Sequence, residues 1–276
     1  MAIAAAPPVV CSWSLRARDS GDLAERVVAT GLRAVQLALA PIAEEPDRWG
    51  RTFTDLAAAG IEVASGMFET VGEDYATLDS IRCTGGVVPD ATYPATRDRA
   101  RRVAEIARTH GIRLVSLHAG FIPHEAGSER RKLLGRLREI CGIFGEAGAR
   151  VAFETGQESA TTLAEALEEL GDPRAGVNLD PANMILYGMG DPVRAVRELA
   201  TRIVQVHVKD ALPTSVPGAW GREVVVGTGA VDWRAFLAEL ADVPVPLRLV
   251  VEREAGEDRI GDIRAAIEFL RPLGIA

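Results

Sequence analysis

The chain has 276 residues, of which 47% are hydrophobic and 25% are charged, and its formal net charge is −8. That apolar content excludes a disordered chain and is enough to fill a large core. The acidic balance argues against a nucleic-acid partner, because phosphate binding needs clustered lysine and arginine.

The start of the chain predicts a short tail leading into a first strand. Residues 1–10 are mostly apolar but lack the basic segment and the cleavage site of a signal peptide. No apolar run reaches the ~18 residues that a membrane-spanning helix needs. The cysteines Cys11, Cys83 and Cys141 form no CxxC pair. Because an odd number of distant thiols is typical of a reducing compartment, we predict a cytoplasmic location.

Short apolar runs alternate with amphipathic stretches along the whole chain. The apolar runs predict strands at residues 9–14, 34–39, 62–67, 114–118, 150–154, 176–180, 203–208 and 247–252. The amphipathic stretches predict helices at residues 22–30, 45–59, 96–110, 128–147, 160–170, 192–200, 232–240 and 262–270. Five helices are followed by a glycine, where a left-handed residue commonly ends a helix. These glycines are Gly31, Gly60, Gly111, Gly148 and Gly171.

Eight strand–helix repeats predict an α/β fold, a (β/α)₈ TIM barrel with a single domain over residues 1–276. An open doubly wound sheet is the alternative. It would be expected to show a glycine-rich nucleotide loop after an early strand, and the sequence has no such loop. Residues 68–93 and 211–230 are longer than ordinary loops. We expect both at the carboxyl-terminal rim of the barrel, where active sites are built.

Four of the later strands end in a side chain that can bind a metal. Glu154, Asp180, His207 and Glu252 stand at or near the ends of the fifth to eighth predicted strands. Because the carboxyl ends of barrel strands meet at one rim, we expect these side chains to converge. Three carboxylates held together there would repel one another without a cation.

The sequence therefore predicts a site for one divalent metal ion. The oxygen-rich ligand set favours Mn²⁺, and Mg²⁺, Co²⁺ or Zn²⁺ are possible with the added imidazole. The structural alternative is a set of separate ion pairs and helix caps, since carboxylates also cluster in such networks.

Several residues near these ligands are candidates for contacts with a substrate. His118 ends the fourth predicted strand, and Gln157 and Glu158 follow the fifth, where Glu158 could equally start a helix. Trp13 and Trp220 could form an apolar wall for a sugar ring or could simply pack in the core and anchor a loop.

Lys209 is a further candidate, because strand alternation places it on the same face as His207. There it could reach a hydroxyl or an anionic group of a substrate. An ion pair at the rim with Asp210 or Glu223 is the other interpretation.

Five segments carry a resemblance to a known family. They cover residues 114–123, 153–158, 178–183, 206–210 and 251–254. In these segments the chain resembles the xylose isomerase-like barrel superfamily, and within it the sugar phosphate isomerases/epimerases. The resemblance spans essentially the whole chain, and it is more specific for the fold and the metal site than for the substrate.

The resemblance implies how such a site would act. In ketose-epimerising relatives a divalent metal chelates a carbonyl and a neighbouring hydroxyl of the substrate. The two glutamates that match Glu154 and Glu252 by motif then exchange a carbon-bound proton on opposite faces, through an enediolate. A Lewis acid on the carbonyl oxygen stabilises that enediolate, and two carboxylates can remove and return the proton.

Two positions depart from the ketose epimerases. Those relatives usually carry a histidine at the position of Asn183, which we expect to contact the substrate. They also carry an arginine shortly after the histidine ligand, whereas residues 211–214 contain none. Because Asn183 cannot carry a proton charge near neutral pH, the substrate contacts are expected to differ from those of ketose 3-epimerases.

The predicted function is therefore a metal-dependent isomerase or epimerase of a sugar or polyol ketone. A metal-dependent lyase or hydrolase acting on 3-keto glycosides is the first alternative, because it needs the same proton abstraction. A non-catalytic sugar-binding or accessory subunit is a weaker one. The expected partner is a small sugar or polyol, with no nucleic acid and no membrane, and a homo-oligomer is possible.

Overall fold

The predicted strands form a closed parallel barrel. The computed structural model describes residues 7–216, 218–244 and 246–275. The barrel strands are β1 (Val9–Cys11), β2 (Ala34–Ala38), β3 (Glu62–Met67), β4 (Leu114–Leu117), β5 (Arg150–Glu154), β6 (Ala175–Leu179), β7 (Ile203–Val208) and β10 (Arg248–Val251). Their order around the barrel is β1-β10-β7-β6-β5-β4-β3-β2, so the first and last strands pair and close the sheet. This confirms the TIM barrel.

Helices surround the barrel and connect its strands. They are α1 (Ser20–Thr30), α2 (Ala40–Glu44), α3 (Pro46–Trp49), α4 (Thr52–Ala58), α5 (Leu78–Thr84), α6 (Tyr93–Thr109), α7 (Ser128–Glu146), α8 (Ala160–Leu170), α9 (Pro181–Tyr187), α10 (Pro192–Leu199), α11 (Trp233–Leu240) and α12 (Arg259–Leu270). None of the helices in the described part of the chain is long and apolar enough to cross a membrane. The five helix-ending glycines all have positive φ, as predicted.

Two predicted elements differ from the structure for local reasons. The first strand ends at Cys11, and Trp13 begins a short 3-10 helix, Trp13–Leu15, instead of continuing the strand. The helix predicted at residues 45–59 is broken into short helices. The break falls at Gly50 and Arg51, between α3 and α4, where glycine is a poor helix former. Pro46 instead sets the start of α3, because it disfavours the helical region for Glu45, which has φ −128° and ψ 61°.

Both long rim segments contain structure that the sequence patterns did not predict. Helix α5 lies in residues 68–93. In residues 211–230, the strand β9 (Arg222–Val224) pairs antiparallel with β8 (Asp210–Leu212). Helix α9 also follows directly after Asp180, which caps it by accepting a hydrogen bond from Asn183 N at 2.9 Å.

The core has two parts, divided by the barrel wall. The larger apolar cluster packs the helices against the outer faces of the strands. A small separate cluster contains Val9, Cys11, Ala34 and Val250. Because side chains alternate along a strand, we place this small cluster inside the barrel, below the polar side chains that lead up to the rim.

Candidate metal centre and substrate cavity

Four side chains converge at the carboxyl-terminal rim of the barrel. Glu154 ends β5, Asp180 follows β6, His207 lies in β7 and Glu252 follows β10. One potential ligand atom from each lies within 4.8 Å of the others. All four side chains are at most 5% exposed. We call these four residues the floor of the site.

Two buried polar atoms in the floor have no hydrogen-bond partner among the described residues. They are Nδ1 of His207 and Oδ2 of Asp180, which lie 3.5 Å apart. The same Nδ1 is 3.4 Å from Glu154 Oε1 and 3.2 Å from Glu252 Oε2. Buried polar atoms are rarely left unpaired in proteins, so this group fits a bound cation. The set of three carboxylates and one imidazole suits a divalent ion.

Burial and neighbouring charges shift the pKa values of the floor residues in different directions. Burial opposes ionisation of Glu252, but Lys209 and His207 outweigh it and hold the pKa of Glu252 well below its usual range. Burial raises the pKa of Asp180. For His207, burial disfavours the charged form, yet Glu154 and Glu252 raise its pKa well above the usual value.

A buried amide fixes the orientation of His207. Gln36, in β2, places its Oε1 2.8 Å from His207 Nε2, while its own Nε2 donates to Ser116 Oγ at 2.8 Å. Because an amide oxygen only accepts, this shorter contact favours a hydrogen on His207 Nε2 and a free lone pair on Nδ1 in the neutral ring, although Asn178 Nδ2 also lies 3.0 Å from Nε2. Hydrogen bonds of this kind commonly orient histidine ligands of metals.

Two irregularities in the sheet adjoin the residues that support the floor. The register shifts between Val35 and Gln36 where β2 pairs with β3, and between Val177 and Asn178 where β6 pairs with β7. Such irregularities change the direction of nearby side chains. Asn178 Nδ2 donates to Glu154 Oε2 at 3.1 Å. The sequence analysis missed this support, although Gln36 and Asn178 are polar residues within buried strands.

A cavity of about 430 Å³ opens above the floor. It is lined near the bottom by His118, Asn183, Lys209 and Trp13, and on one wall by Tyr187. Its outer part contains residues that the sequence analysis did not single out, apart from Trp220. We call this outer set the mouth, and it consists of Glu69, Glu73, Tyr75, Trp220 and Glu254.

The β8–β9 hairpin is organised by one buried carboxylate. Asp210 accepts hydrogen bonds from the backbone of Gly227, Gly229 and Val231 and from Trp233 Nε1, at 2.9 to 3.2 Å. A Cβ on Gly229 would lie only 2.0 Å from an oxygen of Asp210, so this close approach needs glycine. Asp210 thereby holds the end of the segment that carries Trp220.

The hairpin is also attached to the segment that follows Glu252. Glu223, in β9, accepts from Arg253 Nη1 at 2.7 Å and from the backbone N–H groups of Glu254 and Ala255 at 2.9 and 3.1 Å. The sequence analysis considered Asp210 and Glu223 as partners of Lys209. They instead fix the backbone on either side of the cavity.

Lys209 lies in the cavity with its charge balanced by glutamates. Its Nζ is 3.0 Å from Glu252 Oε2, 2.5 Å from Glu254 Oε2 and 3.3 Å from Asn183 Oδ1. Burial disfavours the charged form, but these carboxylates raise the pKa of Lys209 well above its usual value. Lys209 is therefore a buried cation beside the floor.

Of the other candidates for substrate contacts, two lie beside Glu154 in the cavity and two lie outside its lining. His118 Nε2 lies 3.7 Å from Glu154 Oε1, and Asn183 Nδ2 donates to the same oxygen at 2.9 Å. Gln157 and Glu158 are buried and are not among the residues that line the cavity. Gln157 Nε2 is 3.5 Å from the hydroxyl of Tyr187. Their predicted contact with a substrate stays a prediction.

Comparisons with known proteins agree with this architecture. A family model described as a xylose isomerase-like TIM barrel matches residues 24–273. The chain is 31% identical to a xylose isomerase domain protein from Planctomyces limnophilus. The crystal structure of that protein aligns with a TM-score of 0.85 over 97% of this chain and 96% of the other. The chain therefore belongs to the xylose isomerase-like TIM barrel family, as the five segments predicted.

Two curated proteins match over shorter stretches. The uncharacterized protein YihM of Escherichia coli (strain K12) is 28% identical over 184 residues, which is 59% of this chain and 56% of YihM. The 2-epi-5-epi-valiolone 7-phosphate 2-epimerase of Actinoplanes sp. (strain ATCC 31044 / CBS 674.73 / SE50/110) is 32% identical over 107 residues. That match covers 38% of this chain and 37% of the epimerase. The relatives thus include an epimerase, which supports an enzymatic function.

Proposed function

We propose that the protein is a divalent-metal-dependent isomerase or epimerase that acts on a sugar or polyol ketone. The observation that carries this proposal is the convergence of four potential ligand atoms within 4.8 Å at the floor of an open cavity. Mn²⁺ is the proposed ion, with Mg²⁺, Co²⁺ and Zn²⁺ as alternatives for the same ligand set. Membership in a family that includes sugar epimerases supports the reaction class.

A divalent ion in the floor would supply a Lewis acid, which makes a proton next to a carbonyl easier to remove. Glu154 and Glu252 are the proposed acid–base pair, because they project from β5 and β10, which β6 and β7 separate around the barrel. They can therefore approach a substrate from different sides. One carboxylate removes the proton and the other returns a proton to the opposite face.

Neighbouring side chains hold both glutamates in position. Trp13 Nε1 donates to Glu252 Oε1 at 2.6 Å, and Lys209 occupies the other oxygen of that carboxylate. Asn183 and Asn178 donate to the two oxygens of Glu154. Preorganised partners of this kind reduce the motion that must be restrained for proton transfer.

We further propose that His118, Asn183 and Lys209 contact substrate hydroxyl or carbonyl groups, because each lines the cavity beside the floor. Asn183 is hydrogen-bonded to both Glu154 and Lys209, so it links the proposed base to the buried cation. Trp13 and Tyr187 offer apolar faces to the C–H groups of a sugar. A homo-oligomer and a cytoplasmic location stay predictions.

The experiment is hydrogen exchange in heavy water. Metal-loaded protein is incubated in D₂O with a panel of ketoses, inososes and 3-keto glycosides, and the products are followed by NMR. We expect deuterium at the carbon next to the carbonyl of at least one compound, together with its epimer or isomer. Protein treated with a chelator should lose this exchange and regain it when Mn²⁺ is restored.

Product identity separates the proposal from its alternatives. Release of an aglycone from a 3-keto glycoside, without an epimer, would favour the lyase or hydrolase. Binding without exchange in any compound would favour a sugar-binding subunit. Full exchange by metal-free protein would contradict metal dependence.

A further inference from the structure

The charges in the mouth of the cavity are negative. Glu69 and Glu73 lie in the segment after β3, and Glu254 lies after β10. Two hydrogen bonds restrain the side chain of Glu73: its Oε1 accepts from Thr70 Oγ1 at 2.8 Å and from Gly86 N at 3.0 Å. A substrate entering the cavity must therefore pass three carboxylates, which come from two segments of the wall.

The cation in the cavity, Lys209, already has an acceptor for each of its N–H donors. Lys209 is the only lysine or arginine among the described residues that line the cavity. An ammonium group has three N–H donors, and three acceptors surround this one, on Glu252, Glu254 and Asn183. A phosphate could bind Lys209 only by displacing a carboxylate that already balances its charge.

A divalent ion in the floor would not leave an excess of positive charge. Glu154, Asp180 and Glu252 together carry three negative charges, which balance a divalent cation and Lys209. The lining then keeps a net negative charge from the mouth carboxylates, although Glu254 itself is paired with Lys209.

The helix that begins at the floor does not provide an anion site. Helix α9 starts with Pro181, which has no N–H, and the N–H of Asn183 is already bonded to Asp180 Oδ1. At two of the first three positions of α9, the backbone donor that could bind phosphate at a helix N-terminus is therefore absent or occupied.

We infer that the substrate carries no phosphate or carboxylate group, and that Glu73 and Glu254 are specificity-determining residues that repel such groups. This inference rests on the proposed function for the identity of the site, and it names the substrate class as an uncharged polyhydroxy ketone. Discrimination against a competitor often depends on a repulsive element in this way. This charge preference would distinguish the chain from the Actinoplanes relative, whose name contains a phosphorylated substrate.

The test compares binding of uncharged ketoses with that of their phosphate esters. Mn²⁺-loaded protein is titrated with D-fructose and D-fructose 6-phosphate, and with D-tagatose and D-tagatose 6-phosphate, by calorimetry at low salt. We expect the uncharged member of each pair to bind at least about tenfold more tightly, since like-charge contacts at binding sites are strongly unfavourable. The difference should narrow as salt screens the repulsion.

Charge-removing variants identify the residues responsible. The double variant Glu73→Gln/Glu254→Gln should bind the phosphate esters at least about tenfold more tightly than the unchanged protein does, because two repelling charges are gone and Lys209 is partly released. The matched control is Glu45→Gln/Glu257→Gln, which removes two carboxylates that do not line the cavity. The control should keep the original preference.

Equal or tighter binding of the phosphate esters by the unchanged protein would overturn the inference, and so would a double variant without any gain. Hydrogen exchange is scored separately from binding. A preference for uncharged ketoses without exchange would count against the proposed function alone, whereas exchange with a preference for phosphate esters would count against this inference alone.

Discussion

The floor and the mouth of the cavity differ in how far their charged side chains are buried. Floor residues are at most 5% exposed, and their carboxylates lie against His207 and Lys209. In the mouth, Tyr75 is 43% exposed and the side chain of Glu254 is 52% exposed. Water screens mouth charges but not floor charges. A change in the floor should therefore alter chemistry and metal binding, whereas a change in the mouth should alter which substrate enters.

The largest expected effect is on turnover, and it should differ between two glutamates that lie two residues apart. Replacing Glu252 by Gln removes a proposed base and should lower turnover by ~10²- to 10⁴-fold, the range typical of general acid–base groups. Replacing Glu254 by Gln should lower it by less than about tenfold, because that side chain lies outside the proposed chemistry. Steady-state rates on a substrate found by hydrogen exchange measure both.

Thermal melts and metal content serve as the folding control for this pair. Both variants should fold, although each leaves Lys209 with one carboxylate fewer. If both variants fold and lose turnover to a similar extent, the proposed division between a catalytic floor and a non-catalytic mouth is wrong.

The next effect concerns metal affinity and has a closely matched control. Asp180 and Asp191 each cap a helix that begins with a proline. Asparagine caps a helix as well as aspartate does, so Asp180→Asn keeps the cap and changes the unpaired Oδ2. We expect metal affinity to fall at least about 100-fold, since the loss of outer partners alone costs 10- to 100-fold. Asp191→Asn should leave the affinity as it is.

Competition with a chromophoric chelator measures these affinities. An unchanged metal affinity in Asp180→Asn would exclude Asp180 from the ligand set. A fall of the same size in Asp191→Asn would show that the helix cap, and not a ligand, is responsible.

The third expected effect is on stability, not on activity or metal binding, and it concerns a carboxylate whose pKa is shifted by burial alone. Burial raises the pKa of Glu158 to about 8 from an ordinary value of 4.5. Between these values the folded chain keeps a proton that the unfolded chain has lost, so the free energy of unfolding falls as pH rises. Glu158→Gln should remove this slope, up to about 1.4 kcal/mol per pH unit. The difference in unfolding free energy between the variant and the unchanged protein should therefore shift in favour of the variant between pH 5 and pH 8.

Urea unfolding at several pH values between 5 and 8 measures the slope. The control is Glu168→Gln, an exposed position on helix α8, which begins two residues after Glu158. Parallel pH profiles for Glu158→Gln and the unchanged protein would show that Glu158 ionises normally in the folded state.

Much of the fold and the centre of the site followed from the sequence. Strands at residues 62–67, 150–154 and 203–208 were predicted with their observed bounds. The meeting of Glu154, Asp180, His207 and Glu252 could also be predicted, because a parallel barrel brings the ends of its strands to one rim whatever the loops do. The break at Gly50 and Arg51 was also readable from local chemistry, because glycine is a poor helix former, although we predicted one helix there.

The tertiary structure alone decided the surroundings of that centre. Gln36 meets His207 across 171 residues of sequence, and a shift in strand register accompanies its position. Glu73 and Trp220 reach the same cavity from separate long segments, and Asp210 holds the end of one of them. Strand periodicity specifies where a strand ends, but the path of a long loop depends on hydrogen bonds to distant residues. The sequence by itself therefore determined the floor, while folding determined the mouth.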